Sequence, residues 1–417
     1  MPAVARLFLA TAILLTQTCR PQPATAEDVT LTLADGLDTS AGAQIEHLVS
    51  SWSQPIRDSP GRTATARFRE LPGGSDTMRA ALAAQAQDAR DDPAECNDVV
   101  MLDVVWTAEF AESGYITPLD AADFDLTRYL PQALATGRYK GRQWAIPFRT
   151  DVGLLYYRKD LLDKLGRPVP RSWAELADTA RAVKEQLGVG GYVGQHALYE
   201  GFTVNAMEAL GRAHPLLSPD GRGVRLDPEA AARAFDWPVR GLAEGWIPAS
   251  AVDAGEEAAI AMFKSGEVAF MRNWPYAQRR LESARADLPG EYGVAPLPGA
   301  SVLGGWNLAV SSCSRHPEEA RALIRHLTAK PQQEHVRDKA GFAPSLTELY
   351  RSPNLNQYTA AIRPGLSNSI TRPVTPRYAD LTRAVQQRLR PALTTGEVVN
   401  AMRLLHTDLL AIVAKGP

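Results

Sequence analysis

Short apolar runs of strand character, alternating with helical stretches, constrain this chain from its start. At 29–33 the run VTLTL alternates and is rich in β-branched residues. Helical patterns follow at 44–52 and, Ala-rich, at 77–87. At 98–103 the run DVVMLD is continuously apolar between two acids, which suits a parallel strand buried on both faces. Strand, helix and strand at this spacing predict an α/β fold with right-handed crossovers. Further on, Ser172 and Glu175 form a capping box, and Trp173, Leu176, Ala180, Val183 and Leu187 repeat at three-four spacing up to Gly188. Asp220-Gly221 reads as a hairpin tip. Helices are predicted at 229–245, 256–264, 317–329 and over 377–413, with a strand at 267–271. No repeat and no low-complexity linker divides the chain, so two lobes sharing several crossings fit better than separate beads.

Of the 417 residues, 45% are hydrophobic, which excludes a wholly disordered chain. With 45 basic and 47 acidic residues the net charge is −2, which argues against nucleic acid as a partner. No internal apolar stretch reaches the roughly 18–20 residues of a membrane-spanning helix. The N-terminus reads as an address: Arg6, the apolar run LFLATAILL at 7–15, and an A-x-A site at Ala24–Ala26. Residues 1–26 are therefore expected to be a signal peptide and the protein exported, to the periplasm. The alternative is a lipid anchor on Cys19, although Thr16 and Gln17 fit a lipobox poorly. Cleavage after Ala26 removes Arg6, Arg20 and Cys19, leaving 43 basic against 47 acidic residues, a net of −4, and two cysteines.

Several chemistries lack their signatures. The seven histidines form no HExxH pattern, and neither a GxSxG elbow nor a P-loop occurs, so no metal and no cofactor is expected. The run GVGGYVG at 188–194 follows a helix instead of opening one, unlike a dinucleotide loop. Four segment junctions instead combine aromatic rings with short polar groups: Asp103 to Trp106, Trp144 to Tyr157, Arg272 to Tyr276, and Gly304 to Asn307. Flat apolar faces beside carboxylates and guanidinium forks are what a sugar requires, because its C–H faces stack while its hydroxyls pair. A tryptophan near a strand end is also an ordinary core residue.

The segments MLDVVWTAEFAESGYITPLD, IPFRTDVGLLYYRKDLL, VAFMRNWPYA, LGGWNLAVS and RPVTPRYADL, in this order over 29–415, resemble the extracellular solute-binding proteins of ABC sugar importers, in particular the trehalose/maltose-binding group. The resemblance implies two α/β lobes of the type II periplasmic-binding-protein fold around a ligand cleft. It places 27–147 with 307–328 in the first lobe, and 148–306 with 329–417 in the second. It assigns Asp103 and Asp151 to sugar hydroxyls, Trp274 and Tyr276 to stacking, and Gly305 and Trp306 to a backbone donor and a second stacking face. Arg372 becomes a hydroxyl-binding guanidinium and Glu200 a carboxylate facing the cleft. Arg149 departs from the family pattern, and relatives often carry Asn at the position of Asp151. Gln44 and Arg79 match more weakly. Read structurally instead, Asp103 would cap a helix start, Asp151 would hold a crossing segment, and Arg372 would be a lobe-packing salt bridge. The segment 146–151 is expected to be a crossing. The family would place Cys96 and Cys313 in one lobe, where a disulfide is expected, with two buried free thiols as the alternative.

On this reading the chain is no enzyme. It would be a monomeric binding module that captures a neutral or weakly cationic disaccharide and presents it to a membrane permease. The rival is a secreted carbohydrate-active hydrolase with an acid/base pair among Asp103, Asp151 and Glu200.

Overall fold

A computed structural model of the chain describes residues 28–40, 42–57, 59–351 and 357–416. The expected signal peptide, its cleavage site and Cys19 lie outside the described residues. Twelve strands are described. They are β1 (Val29–Asp35), β2 (Ser53–Pro55), β3 (Thr63–Glu70), β4 (Val99–Asp103), β5 (Arg138–Tyr139), β6 (Arg142–Gln143), β7 (Ile146–Val152), β8 (Leu154–Arg158), β9 (Gly190–Val193), β10 (Val268–Asn273), β11 (Tyr292–Pro296) and β12 (Leu303–Val310). Six form one sheet in the order β2-β3-β1-β4-β12-β7, and four form another in the order β11-β8-β10-β9. Each sheet carries its own helices, giving two α/β lobes.

The apolar run that predicted β4 is buried along its whole length, and β4 lies parallel to β1, which is parallel to β3. The strand expected at 267–271 is β10, parallel to β9, so the glycine-rich run at 188–194 contributes a buried core strand at Gly190–Val193. Its glycines serve packing: a Cβ on Gly191 would stand 2.5 Å from that of Ala180. The helix Trp173–Leu187 starts as predicted, with Ser172 Oγ accepting from Glu175 N at 3.1 Å, and stops at left-handed Gly188. Glu175 reaches back to Arg171 N at 2.8 Å, one residue before the expected partner. Asp220-Gly221 is a turn closed by a single bridge, Leu217 to Val224, and not a two-stranded hairpin. The C-terminal region is two helices, Tyr378–Thr395 and Val398–Ala414, divided at left-handed Gly396.

The chain passes between the sheets at Gly153, between β7 and β8, and again over 297–302, between β11 and β12. The segment 146–151 is thus a strand of the first sheet, and the crossing at Gly153 lies two residues beyond the end of the expected segment. Residues 329–351, expected in the second lobe, pack on the first. Gln333 Nε2 donates to Phe148 O at 2.8 Å, Ser345 Oγ donates to Pro147 O at 2.7 Å, and Leu130 N donates to Ser345 O at 2.9 Å. Cys96 and Cys313 form a disulfide that joins the approach to β4 with the exit from β12.

Candidate functional site

The two lobes enclose a cavity of about 330 Å³. On the first lobe it lies beyond the carboxyl ends of β1, β4 and β7, where Asp35, Asp103 and Asp151 stand, the place where open α/β sheets present ligands. Sheet register gathers this wall. Trp306 on β12 pairs with Asp103 on one side and Arg149 on the other, and Gly304 pairs with Asp151. Gly305 permits the approach: its φ is +125°, and a Cβ there would stand 2.4 Å from the Arg149 carbonyl oxygen. The second lobe contributes Tyr199 and Glu200 at one helix start, Glu256 and Glu257 at another, and Trp274 and Tyr276 just after β10.

Nine residues predicted for the site therefore line one cavity: Asp103, Arg149, Asp151, Glu200, Trp274, Tyr276, Gly305, Trp306 and Arg372. Gln44 and Arg79 do not. Gln44 is held by His335 Nε2 at 2.8 Å, and Arg79 by Glu109 at 2.6 Å on the flank of the first lobe. A carboxylate partner on its own lobe satisfies Arg79 away from the cavity.

The two cavity arginines differ. Arg372 is engaged: Nη2 donates to Asp103 Oδ1 at 2.9 Å and Nη1 to Glu200 Oε1 at 2.7 Å. It joins β4 of the first lobe to the helix Glu200–Leu210 of the second. Glu200 also accepts from Tyr378 Oη and from Thr382 Oγ1, each at 2.6 Å, so its oxygens are occupied within the protein. Asp103 also accepts from Val105 N at 3.2 Å, holding the turn after β4. The structural reading of Arg372 is thus realised at a residue that lines the cavity, whereas Asp103 caps no helix: the helix that follows, Thr107–Glu112, has Trp106 at its N-cap and no side-chain cap.

Arg149 has looser company. Its nearest carboxylate is Asp35 at 3.9 Å, its Nε has no partner, and its guanidinium lies 5.2 Å from the Trp306 ring centre and 4.3 Å from that of Phe342. It makes no hydrogen bond to Asp151, although the two share a strand face. Asp151 is 8% exposed and its Oδ1 is unpartnered. Burial pushes Asp151 up to about 6, and Arg149 only partly opposes this. Burial likewise raises Asp35 to about 6 against Arg149, and raises Asp103 and Glu200 against Arg372.

The aromatic faces are held firmly. Trp274 Nε1 donates to Glu256 Oε1 at 3.2 Å, and Tyr199 donates to Glu256 Oε2 at 2.5 Å. Tyr276 donates to Glu257 Oε1 at 3.2 Å. Trp306 meets the edge of Trp106 at 5.6 Å. Asp35, Glu256, Glu257, Tyr199 and Phe342 were not singled out from sequence. Asp35 ends an apolar strand as Asp103 does, a signal that was available; the others carry none locally. Among the described residues no cluster suited to a metal ion occurs, and no helix is long and apolar enough to cross a membrane.

A two-lobed α/β body with a polar, aromatic cleft at its crossings is the architecture of a binding protein. Residues 67–334 match the family model described as bacterial extracellular solute-binding protein, and the chain belongs to that family. A probable ABC transporter-binding protein of Deinococcus radiodurans is 30% identical over 373 residues, covering 84% of this chain and 87% of that one. A mannitol-binding protein of Pseudomonas aeruginosa is 26% identical over 263 residues, 59% of each chain. Among solved structures, maltose-bound MalE3 of T. maritima aligns with a TM-score of 0.81 and 29% identity, over 92% of this chain and 99% of that one.

Proposed function

We propose that this protein is the exported receptor of an ABC importer. It captures a neutral or weakly cationic sugar, an α-glucoside disaccharide of the trehalose or maltose kind, and presents it to the permease by closing its lobes. The observation that carries this reading is the cleft itself. Half-buried Trp274, Tyr276 and Trp306 offer faces for C–H surfaces, while the unpartnered Asp151 and the loosely held Arg149 offer an acceptor and donors for hydroxyls. Carboxylates outnumber arginines in the lining, which disfavours an anionic ligand. Relatives named for maltose and mannitol support a hydroxylated ligand. A hydrolase is less well supported, because Asp103 and Glu200 both hold Arg372 and Glu200 has no free oxygen. Removal of residues 1–26 and a monomeric state belong to the same proposal.

A thermal-shift screen over disaccharides and polyols tests it. A ligand at 100 times its Kd should stabilise by about 2.7 kcal/mol, and mass spectrometry should recover it intact. Stabilisation by no sugar, or a hydrolysed product, would overturn the reading.

A further inference from the structure

Behind Trp274 lies an ion pair that touches no part of the cavity. Arg272 on β10 and Glu208 on the helix Glu200–Leu210 are 0% and 1% exposed. Their contact is bidentate, Nε to Oε2 at 2.8 Å and Nη2 to Oε1 at 2.7 Å. Nη1 donates to Gln195 Oε1 at 3.0 Å, and Gln195 Nε2 donates back to Arg272 O at 2.9 Å. Burying two charges so completely is a poor way to gain stability, since desolvation offsets most of the attraction. What the pair touches points elsewhere.

On one side the guanidinium carbon lies 3.9 Å from the centre of the Trp274 ring, so the cation backs the indole. On the other side Glu208 Oε1 accepts from Val302 N at 3.1 Å and from Ser301 Oγ at 3.3 Å, both in the second crossing. Ser301 Oγ in turn accepts from Gly153 N at 2.5 Å, in the first crossing. A Cβ on Gly153 would stand 2.7 Å from both Arg272 Nη2 and Glu208 Oε1, so the crossing backbone runs directly against the pair. One carboxylate therefore links both described crossings, and its arginine supports the aromatic platform.

We propose that the Glu208–Arg272 pair is a positioning device that couples stacking on Trp274 to the bending of the crossings at Gly153 and at 297–302. A ligand can bias an open–closed equilibrium only through contacts that differ between the two states. Anchoring the platform to the hinge supplies such a difference, because any shift of the indole is transmitted to Gly153 and Ser301. The ligand in this inference rests on the sugar-receptor reading; the coupling does not.

Two variants test it. Arg272→Lys keeps a cation for Glu208 but loses the planar stack on Trp274 and the fork to Gln195. Ser301→Ala removes only the hydroxyl between Gly153 and Glu208. Affinity for trehalose and maltose is measured by calorimetry, and lobe closure by the radius of gyration in small-angle scattering, with and without sugar. Both variants should melt cooperatively, yet bind about tenfold more weakly, within the usual range of inter-site coupling. At saturation their radii should fall short of the wild-type closed value. The double variant should be no worse than the worse single one, since both act along one link. Wild-type closure and affinity in both single variants, or losses that add in the double variant, would overturn the proposal. Should Arg272→Lys fail to fold, Ser301→Ala carries the test alone. Should wild type bind neither sugar, the receptor reading fails separately. The coupling is then read from unliganded scattering, where an unchanged radius in the folded variants would overturn it.

Discussion

Asp151→Asn separates a strained carboxylate from a satisfied one. Asp151 is buried, lacks a partner at Oδ1, and has its carboxyl pushed up to about 6 from the ordinary 3.8. A rise from 3.8 to about 6 corresponds to about 3 kcal/mol, at 1.36 kcal/mol for each tenfold change in proton affinity. The sign follows from linkage: a carboxyl raised on folding holds its proton more tightly in the folded state. Below about pH 4 it is protonated in both states and costs nothing. Between about pH 4 and 6 the unfolded chain ionises first, and above about 6 the folded protein bears the full cost. Asp151→Asn does not titrate, so its stability relative to wild type should rise from near zero at pH 4 to as much as about 3 kcal/mol at pH 7.5. Urea unfolding of both proteins across that range measures the difference. Saturating sugar should shrink it, because hydroxyls donating to the ionised carboxylate replace its missing partners. A difference independent of pH, or a variant less stable than wild type at pH 7.5, would refute the reasoning and mean that Asp151 is paired in solution.

Other perturbations have equally definite outcomes. Trp274→Ala and Trp306→Ala should each weaken sugar binding by about 1–3 kcal/mol with the fold intact, judged from the area such a ring buries. Calorimetry measures each loss, and unchanged affinity in both variants would return the two rings to a core-packing role. Replacing Cys96 and Cys313 together by Ser should cost about 2–5 kcal/mol, since the bridge spans 217 residues of sequence. Intact mass of alkylated protein, with and without reductant, confirms that both thiols are engaged beforehand. Gly305→Ala should lower the melting temperature and weaken sugar binding together, because its Cβ would collide with the Arg149 carbonyl at a φ of +125°. A uronic acid should bind more weakly than its neutral analogue in calorimetry at pH 7.5, and a preference for the acid would contradict the charge of the lining.

Much of the fold was legible because the strands here are short, apolar and bounded by acids. β1 and β4 show both patterns, and β10 follows a helix with a clear stop. What failed was the location of the crossings, since β7 and β8 are separated by a single residue, Gly153. IPFRTDV carries no turn signal, so its end as a first-sheet strand depends on pairing with β12, 151 or more residues away in sequence. The placement of 329–351 failed for a similar reason. Gln333 and Ser345 are polar residues whose partners are backbone carbonyls of β7, and no local pattern announces such long-range bonds. In the cleft, the family resemblance of their segments carried the gathering of Asp103, Arg149, Asp151 and Trp306. It could not say which polar groups were already occupied, because that depends on Tyr378 and Thr382, which converge on Glu200 from a distant helix.

That distinction changes how closure has to be understood. Two arginines of the same chemistry line one cavity, yet Arg372 is held by carboxylates from both lobes while Arg149 has only Asp35 at 3.9 Å. A bond that forms between the lobes without ligand favours closure on its own and adds nothing to the selectivity of closure for ligand. If the lobes close as proposed, the Asp103–Arg372–Glu200 bridge sets how readily they meet. On the proposed function, discrimination between sugars falls to groups whose partners are missing or loose, Asp151 and Arg149 on the first lobe and the open face of Trp274 on the second. Strengthening the bridge would raise affinity for every ligand alike, whereas changing Arg149 or Asp151 would change which ligand is preferred.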